Sequence, residues 1–285
     1  MSALDGLAGR TFGPVPVDTT RGRVSDLVAA TGDDPQRWAS SLPPSFANVV
    51  LFAVAPAFLS DPVVRPFTRS LIHSEQSFTW HGPLAASTPL EATGTLEAVR
   101  ERSGLHLATF SCEASSEGEP WVTGSSVFLL SDAAATAADE EPEPLADLRP
   151  PVDPVEPMGL PTSGEPIPAV RVGASRADLV HYAAATRDWN PIHWDHDAAR
   201  AAGLPGTIVH GLLMTAWMGR VASRFAPGSS PLRSMRARFR APLRPGIGAE
   251  VAGSVGSVEA DGADLDLTLA SGEDRMVTAR IRVTR

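Results

Sequence analysis

Lysine is missing: all 24 basic residues among the 285 are arginine. Without it there is no Schiff-base amine, no pyridoxal-phosphate anchor and no Walker-type phosphate lysine. Cysteine occurs once, as Cys112, which excludes an internal disulfide framework and reads as a small strand residue. Glycine never falls in a G-x-G-x-x-G or G-x-S-x-G pattern, so the dinucleotide fingerprint and the nucleophile elbow are both lacking. No apolar run reaches the roughly 20 residues of a membrane helix. The first residues lack the basic and apolar regions of a secretion signal, so a cytoplasmic location is expected. Acids outnumber bases 33 to 24, for a net charge of −9, which argues against a nucleic-acid surface. Chemistry in such a chain must come from His, Asp, Glu, Ser or backbone groups.

What is present is a repeat. Residues 131–170 are rich in proline and acids and lose apolar periodicity, which reads as an extended, partly disordered linker. It separates an N-terminal half, 1–130, from a C-terminal half, 171–285. Leu71 and Phe78 correspond to Leu232 and Phe239, and Gly94 and Gly253 each lie eleven residues after a proline. "TGDDPQRW" from Thr31 looks like a shortened copy of "TRDWNPIHW" from Thr186, with Arg37 where the second half has His193. Each half reads as a short helical piece, a loop, a helix and several strands, an α+β arrangement. The helix over 211–225 is the clearest, with Leu212, Met218, Val221 and Phe225 near one face. Its counterpart over 45–59 contains Pro56 and is expected to be shorter or broken. Arg236, Arg238 and Arg240 alternate along a strand, as a solvent-facing stripe or a phosphate contact.

The segment Thr186–Leu213 concentrates the reactive groups. His193 follows Asp188 by five positions, and the Asn190-Pro191 turn between them lets both face one small volume. A histidine exchanges protons near neutral pH, and a neighbouring carboxylate can orient it or exchange a proton at a second point. A helix opening near His210 places the Gly211 N–H among the unpaired donors of its first turn. Glycine there lets a carbonyl oxygen approach. Acid, base and oxyanion donor together suit proton abstraction next to a carbonyl. The run His193–His196 lacks a strong zinc spacing.

These residues resemble the hydratase-2 signature of the MaoC-like (R)-specific enoyl-thioester hydratases and dehydratases. That signature has an aromatic residue (Tyr182), an Asp-x-Asn-Pro-x-His core (Asp188, Asn190, Pro191, His193) and a helix opening with His-Gly (His210, Gly211). The resemblance implies a double hot-dog fold, in which each half wraps an antiparallel sheet around a helix and the N-terminal half is degenerate. It implies that Asp188, His193 and Gly211 are catalytic, and that Asn190, Arg187 and His210 contact substrate. It implies no metal and no redox cofactor, with coenzyme A or phosphopantetheine entering only as the substrate's carrier. The reaction would interconvert (3R)-3-hydroxyacyl and trans-2-enoyl thioesters of coenzyme A or acyl carrier protein. Pairing of whole chains into a homodimer of double hot dogs is compatible with the layout.

One residue departs from the pattern: Arg187 stands where the family usually has glycine. If that position needs φ > 0, arginine is strained there; otherwise its guanidinium could reach a substrate carboxylate or phosphate. Two other readings stay open. A thioesterase on the same fold would release free thiol, and a silent acyl-thioester-binding or partner subunit would bind without turnover.

Overall fold

A computed structural model describes residues 4–133, 148–159 and 162–284. The first half supplies β1 (Thr11–Val17), α1 (Arg21–Thr31), α2 (Ala47–Leu59), β2 (Ser70–Trp80), β3 (Leu90–Arg102), β4 (Leu105–Ser116) and β5 (Glu119–Ser131). The second half supplies β6 (Pro166–Val172), α3 (Arg176–Thr186), the short α4 (His196–Ala201), α5 (Gly211–Ser223), β7 (Leu232–Phe239), β8 (Ala249–Glu259), β9 (Gly262–Ser271) and β10 (Asp274–Thr284). Along β7, Leu232, Met235 and Ala237 are buried while Arg233, Arg236 and Arg238 are exposed, the period of two that makes one face of a strand the core face.

All ten strands join one antiparallel sheet, in the order β1-β3-β4-β5-β2-β7-β10-β9-β8-β6. Each half repeats the same internal order, and the halves meet where β2 pairs with β7. At that seam Gln76 lies opposite Ala237, and these are repeat equivalents, each two positions before the matching phenylalanines Phe78 and Phe239. The axis of the internal repeat therefore runs between β2 and β7. The repeated glycines are explained by space. A Cβ on Gly94 would collide with the Phe110 ring under Val54 of α2, and a Cβ on Gly253 would collide with the Asp266 carbonyl. Helices α2 and α5 are buried against the sheet with their apolar faces inward.

Two expectations are corrected. Pro56 does not break α2, which runs thirteen residues, as α5 does. The proline sits exposed in the last turn, so only the bond to the Phe52 carbonyl is lost and the helix closes through Ser60 N–H to Pro56 O at 2.9 Å. The boundary drawn after residue 170 falls inside β6, which begins at Pro166. Part of the linker is held in place as well. Asp153 accepts from Arg171 at 2.7 Å, and Pro150 packs so close to Gly173 that a Cβ there would lie 2.8 Å from its ring. Residues 134–147 and 160–161 of the proposed linker lie outside the described residues. The arginine stripe does face solvent: Arg236, Arg238 and Arg240 are exposed, and the first two also pair with Glu75 across the seam, each at 3.1 Å. No described helix is long and apolar enough to cross a membrane.

Candidate active site

Helix α3 begins with a capping box, in which Ser175 and Asp178 satisfy each other's backbone N–H groups. It ends at Arg187, whose backbone is left-handed, with φ 67° and ψ 22°. The residue in the same place after α1 is Gly32, with φ 66° and ψ 29°. The geometry is common to both copies; only the degenerate copy keeps the residue that adopts it without strain.

The left-handed turn reverses the chain and drops Asp188 into the interior, at 7% exposure. Its backbone N–H lies 3.3 Å from Thr186 Oγ1, and its Oδ1 accepts from Asn190 N–H at 3.4 Å. Asn190 then caps a 3-10 turn, Pro191–His193, which delivers the buried His193. A clamp fixes this turn: Ile208 N–H donates to Ile192 O at 3.2 Å, and His193 Nδ1 lies 2.8 Å from Ile208 O. A carbonyl only accepts, so Nδ1 carries the proton and Nε2 presents a lone pair.

Burial drives the electrostatics. Desolvation lifts the Asp188 carboxyl to about 7, opposed by the Asn190 N–H. Desolvation also lowers His193 to about 4, opposed by the Ile208 carbonyl. Near neutral pH the imidazole is an uncharged base, while the carboxyl is poised between acid and carboxylate. His210 is pushed well down by burial, then by the nearby His193. An oxygen of Asp188 and a ring nitrogen from each histidine all lie within 4.8 Å of one another. Such a trio invites a metal, but the two imidazoles stack, with centroids 3.8 Å apart and planes at 22°. Their lone pairs lie in two nearly parallel planes a ring-stack apart, which disfavours both reaching one ion about 2 Å away.

Behind the pair stands Tyr182, the only tyrosine of the chain, its ring 4.8 Å from that of His210. Its hydroxyl accepts from Asn48 Nδ2 at 3.0 Å, and the same amide donates to Leu212 O at 3.1 Å. Asn48 lies on α2, in the other half, and is 2% exposed. Sequence reasoning missed it; the available signal was a lone amide within the apolar stretch Phe46–Ala55. His210 is fully buried between Tyr182 and His193, and Gly211 opens α5 with the Phe239 ring 3.0 Å from where its Cβ would be.

A cavity of about 870 Å³ lies between the halves. Phe52, Pro56, Leu59 and Leu71 line one side; Asp188, Trp189, Asn190 and Ile192 line the other. Arg187 also reaches it, whereas His193, His210 and Gly211 do not form its wall. Asp188 is thus a buried carboxyl in the lining, with an oxygen within 4.8 Å of a His193 ring nitrogen.

The repeat-equivalent position in the first half is filled. Arg37 donates to the carbonyls of Ser223 (2.9 Å), Ala226 (2.7 Å) and Gly228 (3.0 Å), and Arg220 of α5 donates to Gly32 O. The space left beside Asp33 and Asn48 is about 20 Å³, room for about one water. Two guanidiniums close one site and leave the other open.

Residues 159–264 match the model of the MaoC like domain. The mitochondrial 3-hydroxyacyl-[acyl-carrier-protein] dehydratase of Arabidopsis thaliana is 36% identical over 95 residues, which cover 33% of this chain and 55% of that protein. A solved MaoC-like dehydratase superposes with a TM-score of 0.82 at 21% identity, over 98% of this chain and 99% of the other. A Mycobacterium tuberculosis protein described as a double hot-dog fold superposes with a TM-score of 0.64 at 12% identity, over 97% and 96% of the two chains. At such identities the solved structures speak for the fold. The chain has the double hot-dog fold, and its residues 159–264 are similar to the MaoC like domain.

Proposed function

We propose that this protein interconverts (3R)-3-hydroxyacyl and trans-2-enoyl thioesters by removing or adding water. One observation carries the reading: a carboxyl raised to about 7 lines a large, mostly apolar cavity, and a neutral imidazole lies within 4.8 Å of it. The MaoC-like domain and the named activity of the plant relative support the same chemistry. In dehydration the acyl group reaches past Asp188 to His193, whose Nε2 takes the proton from the carbon next to the thioester carbonyl. The protonated Asp188 gives its proton to the departing hydroxyl, which leaves as water as the double bond forms. The resulting imidazolium and carboxylate attract each other, and a proton passing from His193 to Asp188 restores the starting state. Hydration runs the same steps backwards. Gly211 N–H would hold the enolate-like oxygen and Asn190 would fix the loop.

The thioester carrier is coenzyme A or acyl carrier protein, and the protein works in the cytoplasm. The chain's own groups suffice for this reaction, with no metal or redox cofactor.

The test follows the enoyl-thioester absorbance with crotonyl-coenzyme A and a longer enoyl-coenzyme A. Wild type should bleach the conjugated double bond without releasing thiol. Asp188→Asn should lose about 10²–10⁴ in turnover. Full activity in that variant would sink the site assignment; thiol release would identify a thioesterase; binding without turnover would identify a silent subunit.

A further inference from the structure

The rim of the cavity is cationic. Arg65 and Arg69, from a 3-10 helix (Arg65–Arg69) that precedes β2, line it from the first half, and Arg187 lines it from the second. All three are exposed, whereas Asp188 is buried, so the arginines belong to the solvent-facing part of the lining and the carboxyl to its buried part. Among the described residues no carboxylate lies within ion-pair distance of any of the three. Many other arginines here do have one: Arg10, Arg149, Arg171, Arg236, Arg238, Arg280 and Arg282 each meet an acid. Three unpaired cations around one opening, on a chain of net charge −9, form a local field opposite to that of the whole molecule. Thr68, in the same helix, adds a hydroxyl to the lining.

Arg187 gives a second reason. It takes a left-handed backbone that disfavours every side chain, in the place where the closed copy has Gly32. A residue held there against its own preference, in the lining of the cavity, is the kind of strain that accompanies a binding role. Its charged neighbours are Arg23 and Asp18; Asp18 is itself held by the Thr20 N–H and hydroxyl.

We propose that Arg65, Arg69 and Arg187 form an anion subsite at the cavity mouth, which holds a phosphate or carboxylate group of the thioester substrate. This inference rests on the thioester reading of the same cavity and names the part of the substrate outside it. Guanidinium forks suit both groups, since each offers two coplanar oxygens. The two sources are a carrier, through the phosphates of coenzyme A or phosphopantetheine, and an acyl chain ending in a carboxylate.

The experiment separates them, using the full chain in the inactive Asp188→Asn background so that binding is read without turnover. Titration calorimetry with free coenzyme A is compared after adding Arg187→Gly, and separately Arg65→Ala with Arg69→Ala. If the carrier supplies the anion, affinity should fall about tenfold or more in each set, and its dependence on salt should flatten. Arg187→Gly also relieves the backbone, so weaker binding with unchanged or higher Tm excludes simple misfolding. If the acyl chain supplies the anion, coenzyme A affinity stays constant. The active wild type should then prefer a carboxylate-ended enoyl thioester of N-acetylcysteamine, which has no phosphate, over a methyl-ended one by about tenfold. Arg187→Gly should erase that preference. Unchanged affinity together with no carboxylate preference overturns the subsite. Arginine-dependent coenzyme A binding in a wild type that turns over no thioester would overturn the dehydratase reading and leave the subsite standing.

Discussion

Asp188 and His193 titrate in opposite directions from their usual ranges, and both shifts come first from burial. The working state is the one in which the pair holds a single ionisable proton. It exists above the pKa of His193, about 4, and below that of Asp188, about 7. Turnover in either direction should therefore fall off below about 4 and above about 7, in a bell read from kcat/KM. The alkaline limb should disappear in Asp188→Asn. The same shift acts on stability. A carboxyl raised in the folded state stabilises fully below its unfolded value, 3.8, and that contribution is lost as pH rises through about 7. Asp188→Asn should thus melt higher than wild type at pH 8, by an increment that shrinks towards pH 4; equal melting at both pH values would argue against a buried ionising carboxyl. The Asp-x-Asn-Pro-x-His spacing made this pair legible, because five residues of turn suffice to bring the side chains together. The carbonyl that sets the His193 tautomer lies fifteen residues away at Ile208, and Arg65 and Arg69 arrive from the other half. No local pattern announces contacts of that range.

Helices carry the communication between halves. Arg37 fastens the end of α5 from the loop after α1, and Arg220 of α5 reaches back to Gly32. Asn48 of α2 fastens the first turn of α5 and the Tyr182 hydroxyl of α3. Removing that amide takes its donor from the buried Tyr182 hydroxyl, while Leu212 O keeps the bond from Thr215 Oγ1 at 2.9 Å. Asn48→Ala should cost about 1–3 kcal/mol in urea denaturation. A loss below about 0.5 kcal/mol would mean that water replaces the amide. The periodicity of α5 was readable from its apolar face. The length of α2 was not, since the cost of a proline depends on whether the freed carbonyl is near a helix end and in water, which sequence does not show.

On the scale of the molecule, the repeat was visible in Phe78 and Phe239, and the structure turns that repeat into a single sheet joined at β2 and β7. Cutting the chain before residue 148 would expose the whole edge of β7 and the groups that Asn48 satisfies. The second half alone should then pair with itself through β7, elute at twice its mass and lose activity, because no α2 faces its cavity. A monomeric, active fragment would contradict the role given to the first half.

The outermost strands, β1 and β6, are of a different kind. Each carries two prolines, Pro14 and Pro16 in one and Pro166 and Pro168 in the other, and each slips register against its only neighbour. Proline offers no N–H to a newcomer, and a slipped strand presents no straight ladder of donors and acceptors. The sheet is therefore sealed against growth at both ends. A mature chain has no ready template for stacking into fibrils, and any larger assembly must be built through helices or sheet faces, leaving its rims alone.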